Sequence, residues 1–192
     1  AELTHSERFI LARSRIEQGL AQRDGGAAEQ AMKSLFDAME EMVKLVEKQK
    51  SSPEREEMAL TLAEAYAEFG DTVAGKLGGA DAKDSHAEAM NILMELVRVH
   101  PQWGEARYLL GRTHGAMASL ERDLGNPAEA QRRQNLAVQA LAELASPPKL
   151  KNPKLPKAIS DIVMKAIAAD IPSRYQRASD LLDAVLAART PA

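Results

Sequence analysis

Glycine-containing turns recur along the chain, and helix-like apolar patterns lie on both sides of each turn. The turns are Asp24-Gly25-Gly26, Leu77-Gly78-Gly79 and Leu124-Gly125-Asn126. The flanking apolar residues recur at intervals of three and four, which is the period of an amphipathic helix. Glycine often closes a helix because it tolerates a positive φ. The pattern therefore predicts three antiparallel helical hairpins.

The third hairpin, over residues 103–144, has the clearest pattern. Pro127 follows its turn and suits the first turn of a helix. The two predicted helices carry stripes of apolar or small residues: Ala106, Leu109, Leu110, Ala116, Met117 and Leu120, then Ala130, Ala137, Leu141 and Leu144. These stripes predict that the two helices pack against each other.

Capping sequences and turns also predict the earlier helices. Thr4 and Glu7 have the spacing of a capping box, and so do Ser85 and Glu88. With the turns, they place helices at about residues 5–23, 27–50, 54–77 and 85–100. In the first helix, Phe9, Ile10, Ile16 and Leu20 are predicted to be buried.

Composition agrees with a helical fold and excludes several kinds of chemistry. Hydrophobic residues make up 45% of the 192 residues but aromatics only 4%. Such alanine- and leucine-rich sequences favour closely packed helices over sheets. The absence of cysteine excludes disulfides and thiolate metal sites. The four histidines lack metal-binding spacing, and hydrolase and phosphate-binding motifs are missing, so we expect no enzyme activity, no metal and no cofactor.

The third hairpin resembles a tetratricopeptide repeat. Pro101, Leu110-Gly111, Leu124-Gly125, Ala130 and Ala137 stand where that repeat has its characteristic residues, although the first helix is longer. The resemblance implies an all-α fold in which the hairpins form a short right-handed solenoid. In such arrays the first helices of successive hairpins line a concave groove.

The resemblance also implies which residues would bind a partner in that groove. They are Arg13, Glu64, Glu68, Tyr108 and Arg112. Their mixed charges favour a protein or peptide ligand that carries both signs of charge. A solvated helix face without a ligand is the simpler interpretation of Glu64 and Glu68, which lie one turn apart.

Residues 146–157 are rich in proline and lysine and interrupt the helical pattern. Residues 146–156 contain four prolines and three lysines, so the segment cannot continue a helix. It has two interpretations, a stiff connector or a basic ligand for a partner. The predicted organisation is therefore a helical repeat domain at 1–145, a connector at 146–157 and a two-helix C-terminal unit at 158–192.

The C-terminal unit resembles the end of the C-terminal lobe of bacterial serine/threonine protein kinases. The matching residues are Pro156, Lys165-Ala166-Ile167, Asp170, Arg174, Tyr175, Ala178 and Leu181. Ile171 departs from the family, which has proline there. The chain lacks the glycine-rich loop, the catalytic-loop aspartate and the Asp-Phe-Gly motif, so it cannot transfer phosphate alone. Two amphipathic helices that match by chance remain the alternative.

Charge is distributed unevenly along the chain. Residues 1–100 carry 12 Lys/Arg against 19 Asp/Glu, a net charge of -7, whereas residues 101–192 carry 13 against 9, a net charge of +4. The acidic first half argues against nucleic-acid binding. The sequence has no apolar run long enough to span a membrane. We expect a cytoplasmic location, but because the chain begins at Ala1, processing and export remain open.

Two functions follow from these observations. The first is a noncatalytic scaffold that binds a partner segment in the concave groove. The alternative is the regulatory or C-terminal part of a serine/threonine kinase system, with a kinase domain as partner.

Overall fold

The computed structural model describes residues 3–76, 79–142, 154, 156–166, 175 and 177–189. These residues form eight α-helices and no strand, as predicted for an all-α chain. The helices are α1 (His5–Asp24), α2 (Ala28–Lys48), α3 (Pro53–Ala74), α4 (Gly79–Val99), α5 (Gly104–Asp123), α6 (Pro127–Ala142), α7 (Lys157–Ala166) and α8 (Ala178–Arg189). The chain forms two compact units, Ala1–Leu141 and Ala142–Ala192.

Consecutive helices pack against each other in the first unit. Helix α1 packs on α2, α2 on α3, α3 on α4, and α4 on α5. The first helices of the hairpins also meet, because α3 contacts both α1 and α5. Helix α3 is thus central, and 12 of its 22 residues are buried.

A glycine brings the two helices of each hairpin close together. A Cβ at Gly19 would lie 2.8 Å from Leu35, one at Gly70 would lie 2.8 Å from His86, and one at Gly111 would lie 2.7 Å from Leu141. These distances leave no room for a side chain. Small residues therefore set the spacing between the helices within each hairpin.

The core has two clusters that meet along α3. One cluster joins α1, α2 and α3 around Leu35, Met42 and Leu62, and the other joins α3, α4 and α5 around Leu93 and Met117. Leu110 is 8% exposed and Ala137 is 4% exposed. Leu110 and Ala137 of the predicted stripes thus face the interior, whereas Leu141 is 37% exposed and Leu144 lies outside the described residues.

Several predicted helix ends are confirmed. Thr4 caps α1, since its hydroxyl accepts a hydrogen bond from the Glu7 N–H and its own N–H donates to the Glu7 carboxylate. Gly26 and Gly125 have φ values of 80° and 78° in their turns. Pro127 is the first residue of α6. Local capping and turn chemistry therefore sets these boundaries.

The predicted start of the fourth helix is wrong. Helix α4 begins at Gly79, so Ser85, His86 and Glu88 lie inside it. The Ser85 hydroxyl donates 3.5 Å to the Asp81 carbonyl one turn earlier. The helix begins earlier than predicted because its first turns also pack against the core, where Ala82 is fully buried.

The predicted burial of Ile10 is also wrong. Its side chain is 66% exposed, whereas Ile16 is 2% exposed as predicted. The buried line of α1 runs through Ala12, Ile16 and Gly19. Two of these three residues are small, so the closely packed face of α1 does not coincide with its largest apolar residues.

The second unit contains α7 and α8, which pack against each other. Within it, the Lys165 ammonium lies 4.5 Å from the centre of the Tyr175 ring, a distance typical of a cation–π contact. Residues 167–174, which include Asp170 and Arg174 of the kinase-like pattern, lie outside the described residues, as do residues 146–153 and 155 of the predicted connector. No described helix has the length and apolar character that a membrane span requires.

Candidate functional site

The predicted binding residues lie on the first helices of the three hairpins. Arg13 is on α1, Glu64 and Glu68 are on α3, and Tyr108 and Arg112 are on α5. Because α3 contacts both α1 and α5, these positions are brought towards one another. The structure separates them into two groups with different surroundings.

The first group is an ion-pair cluster centred on Glu68. This side chain is only 7% exposed, and its carboxylate lies 2.5 Å from the Arg23 guanidinium on α1 and 2.5 Å from the Arg112 guanidinium on α5. Each arginine side chain is about one third exposed. Glu68 is therefore engaged within the protein, where it connects the first helices of all three hairpins.

The second group lines a cavity of about 380 Å³, called here the acidic cavity. Its charged lining consists of Arg13, Glu56, Glu57, Glu64 and Glu105. Four carboxylates thus share the cavity with one guanidinium. The only ion pair between these five residues is weak, since Arg13 and Glu57 are 3.9 Å apart and both side chains are about 60% exposed.

Apolar groups complete the lining of the acidic cavity. Pro53, Leu60 and Trp103 contribute its apolar surface. Trp103 directly precedes α5, and its ring lies edge-on to His100, with the ring centres 6.0 Å apart. His100 Nε2 in turn lies 2.8 Å from the Glu56 carboxylate. The aromatic wall of the cavity is therefore held against the end of α4.

The electrostatic field of the acidic cavity acts on Glu64. Neighbouring groups partly shield the exposed Glu64 side chain from water, which raises the pKa of its carboxyl above the ordinary value, and the negative charges of Glu68, Glu105 and Glu17 raise it further. The positive charge of Arg112 acts in the opposite direction. A cation in the cavity would relieve this repulsion, because it would favour the charged form of Glu64.

Tyr108 lies outside both groups. Its side chain is 56% exposed and is not part of the cavity lining. It stands one helical turn before Arg112 and three residues after Glu105 on α5. A ligand that extends along α5 beyond the cavity would meet it.

Several residues of the cavity lining were not predicted from the sequence, although the spacing of some of them along their helices could have indicated a shared face. Glu57 and Glu64 are seven residues apart on α3, which places them on one face of the helix. Glu105 lies on α5 and Glu64 on α3, so the sequence alone does not show that they are close. Their closeness depends on how the hairpins pack. Nothing in the sequence around Trp103 indicated that it lines a cavity, although it is the single tryptophan of the chain.

Two further buried polar groups, Glu121 and His86, lie close to charged side chains of a neighbouring helix. Glu121 on α5 is 2% exposed, and its carboxylate lies 2.6 Å from Lys83 on α4 and accepts a 2.9 Å hydrogen bond from Asn126. His86 on α4 is 1% exposed and lies 3.3 Å from Asp71 on α3. No group of three or more potential metal ligands occurs within the described part of the chain.

No model of a known protein family matches the chain, and no curated protein is significantly similar to it in sequence. The tetratricopeptide and kinase resemblances therefore rest on the residues quoted above. The geometry of the acidic cavity provides the basis for a functional proposal.

Proposed function

We propose that the unit Ala1–Leu141 is a noncatalytic binding module that receives a positively charged segment of a protein partner in the acidic cavity. The observation that carries this proposal is the cavity lining, in which four carboxylates are balanced by one arginine. Clustered charges of one sign attract an oppositely charged ligand and speed its association. A lysine or arginine side chain is the protein group that fits this field.

The apolar wall supports a peptide ligand over a small cation. Lysine and arginine carry long apolar stems, which can lie on Leu60 and Trp103 while the charged ends reach the carboxylates. An aromatic ring also attracts cations through its face. The volume of about 380 Å³ falls within the range of protein binding pockets, which begins at roughly 300 Å³.

The proposed architecture is a short right-handed solenoid of the tetratricopeptide type. It is supported by the contacts of α3 with α1 and α5, which place the first helices side by side. Stacked hairpins bury apolar stripes that no single hairpin can bury alone. In this architecture the acidic cavity lies on the groove formed by the first helices.

The ligand proposed here differs from the sequence-based expectation of a mixed charge. Glu68, which contributed to that expectation, already binds Arg23 and Arg112. The remaining exposed charges at the cavity are mainly negative. The kinase-related alternative gains no support from the described residues, because its central positions lie outside them.

The single tryptophan gives a direct test of binding. A peptide of alternating alanine and lysine should change the Trp103 emission in a saturable way, whereas a peptide of alternating alanine and glutamate should not. The double variant Glu64→Gln, Glu105→Gln should weaken binding by about fivefold or more, because two attractive charges are lost.

A matched control is Glu88→Gln, which removes an exposed carboxylate on α4 away from the cavity lining. This variant should bind the lysine peptide as the wild type does. If neither peptide gives saturable binding, or if the cavity variant binds as tightly as the control, the acidic cavity is not a binding site.

A further inference from the structure

The chain itself contains a segment with the chemistry that the acidic cavity would select. Residues 146–153 read Ser-Pro-Pro-Lys-Leu-Lys-Asn-Pro and contain two lysines and no acidic residue. The segment lies outside the described residues, and its charge and proline content are properties of the sequence. It belongs to the basic half of the chain, which has a net charge of +4.

The cavity and the segment are complementary in charge and in apolar character. Lys149 and Lys151 match the excess of carboxylates, of which Glu64 and Glu105 are exposed. The prolines match the apolar wall, because proline-rich segments are preorganised as extended helices and dock in grooves lined by aromatic rings. Trp103 supplies one aromatic ring to the cavity lining, and Pro53 and Leu60 supply aliphatic groups beside it.

We propose that the acidic cavity binds residues 146–153 of a second copy of this chain, so that the protein associates with itself. This inference rests on the proposed function, since it names the ligand of the same cavity. Each copy offers one acidic cavity and one basic segment, so two copies can make the same contact twice. A reciprocal pair of weak contacts is stronger than one contact alone.

Two charge-reversed variants of the full-length chain test the proposal by complementation. The cavity variant carries Glu64→Lys and Glu105→Lys, and the segment variant carries Lys149→Glu and Lys151→Glu. The mass of the wild type, measured by sedimentation or light scattering, should rise with concentration and fall with added salt. Each variant alone should remain monomeric.

An equimolar mixture of the two variants is the decisive sample. The intact cavity of the segment variant should bind the intact segment of the cavity variant, so a one-to-one heterodimer should form. Circular dichroism of each variant verifies that it is folded. The single substitutions Glu64→Gln and Lys149→Gln remove a charge without reversing it, and each should also weaken association. A wild type that stays monomeric at every concentration, or variants that fail to pair, would overturn the proposal.

A peptide experiment separates this inference from the proposed function. A labelled peptide of residues 146–153 and the alanine–lysine peptide are each titrated against the segment variant, whose own segment cannot compete. The 146–153 peptide should bind, and the cavity substitutions should weaken it by about tenfold. If only the alanine–lysine peptide binds, self-association is excluded while the function of the cavity stands. If neither binds, both proposals fail.

Discussion

The Glu68 carboxylate on α3 and the Arg112 guanidinium on α5 lie 2.5 Å apart and connect the second hairpin to the third. The same carboxylate binds Arg23 at the end of α1. One buried acidic side chain thus joins the first helices of all three hairpins. Its contribution should exceed that of an exposed ion pair, because removing it leaves two arginines without their common partner.

Glu68→Gln should therefore lower the free energy of unfolding. Losing one member of a buried pair costs about 3 to 5 kcal/mol, but both arginines are about one third exposed and can regain water, so we expect about 1 to 3 kcal/mol. Urea unfolding followed by circular dichroism measures the loss. Glu57→Gln is the control, since its pair with Arg13 is exposed, and it should change stability by less than about 0.5 kcal/mol. Equal effects of the two substitutions would contradict the connecting role of Glu68.

Lys83→Met should destabilise the contact between α4 and α5. It removes the cation from Glu121, which is 2% exposed and would keep only the hydrogen bond from Asn126. We expect a loss of about 2 to 4 kcal/mol, because a buried carboxylate is left without its counter-charge. Adding Glu121→Gln should recover part of that loss, since the remaining group is then neutral. A double variant less stable than Lys83→Met alone would rule out this explanation.

Much of the helical organisation could be predicted from the sequence because its signals are local. The Thr4 capping box, the Gly125 turn and the Pro127 helix start each depend on residues close together in the chain. Ser85 shows the limit of such signals, because the same residue types can occur inside a helix. There its hydroxyl donates to a carbonyl of the preceding turn instead of capping.

The candidate site was less predictable because it depends on packing between hairpins. Glu68 looked like a groove residue repelled by Glu64, yet its partners come from α1 and α5. Glu105 and Trp103 join the acidic cavity only when α5 lies beside α3. Within the hairpins, small residues such as Gly70 set the spacing of the helices, and a hydrophobic pattern does not record side-chain size.

Gly70→Ala should destabilise the protein, whereas Gly115→Ala should not. A Cβ at position 70 would lie 2.8 Å from the buried His86 ring, which is 1% exposed and has no room to move. We expect a loss of about 1 to 3 kcal/mol from this overpacking. A Cβ at Gly115 would meet no side chain or neighbouring element within 4 Å, so alanine should stabilise α5 by about 0.5 to 1 kcal/mol. Thermal and urea unfolding of both variants should thus give effects of opposite sign.

His114 should make the protein less stable in mild acid. Burial lowers the pKa of its imidazole below the ordinary value, and the charges of Arg133 and Arg132 lower it further. The unfolded chain therefore takes up the proton first, so this stability is complete above the unfolded pKa of about 6.5 and is lost as the pH falls below it.

His114→Gln should flatten the loss of stability between about pH 7 and pH 5.5, where the wild type should lose up to about 1.4 kcal/mol per pH unit through this group. The raised pKa of Glu64 acts in the opposite direction, so both proteins are best compared in a Glu64→Gln background. Unfolding curves at several pH values give the slopes. An unchanged slope in the variant would assign the acid sensitivity to other groups.

Binding of a lysine peptide to the acidic cavity should weaken as the pH falls. Burial and the nearby Glu68 charge raise the pKa of Glu64, so this carboxyl is protonated sooner than an ordinary glutamate and its attraction for a cation is lost. Titrations that follow Trp103 emission from pH 7 to about pH 5 measure the change in affinity. Glu64→Gln should bind more weakly at pH 7 and depend less on pH. His100 lies beside Trp103 and Glu56, so His100→Gln serves as the control that should keep the pH dependence due to Glu64. If His100→Gln removes the pH dependence and Glu64→Gln retains it, the carboxyl of Glu64 is not the group that controls binding.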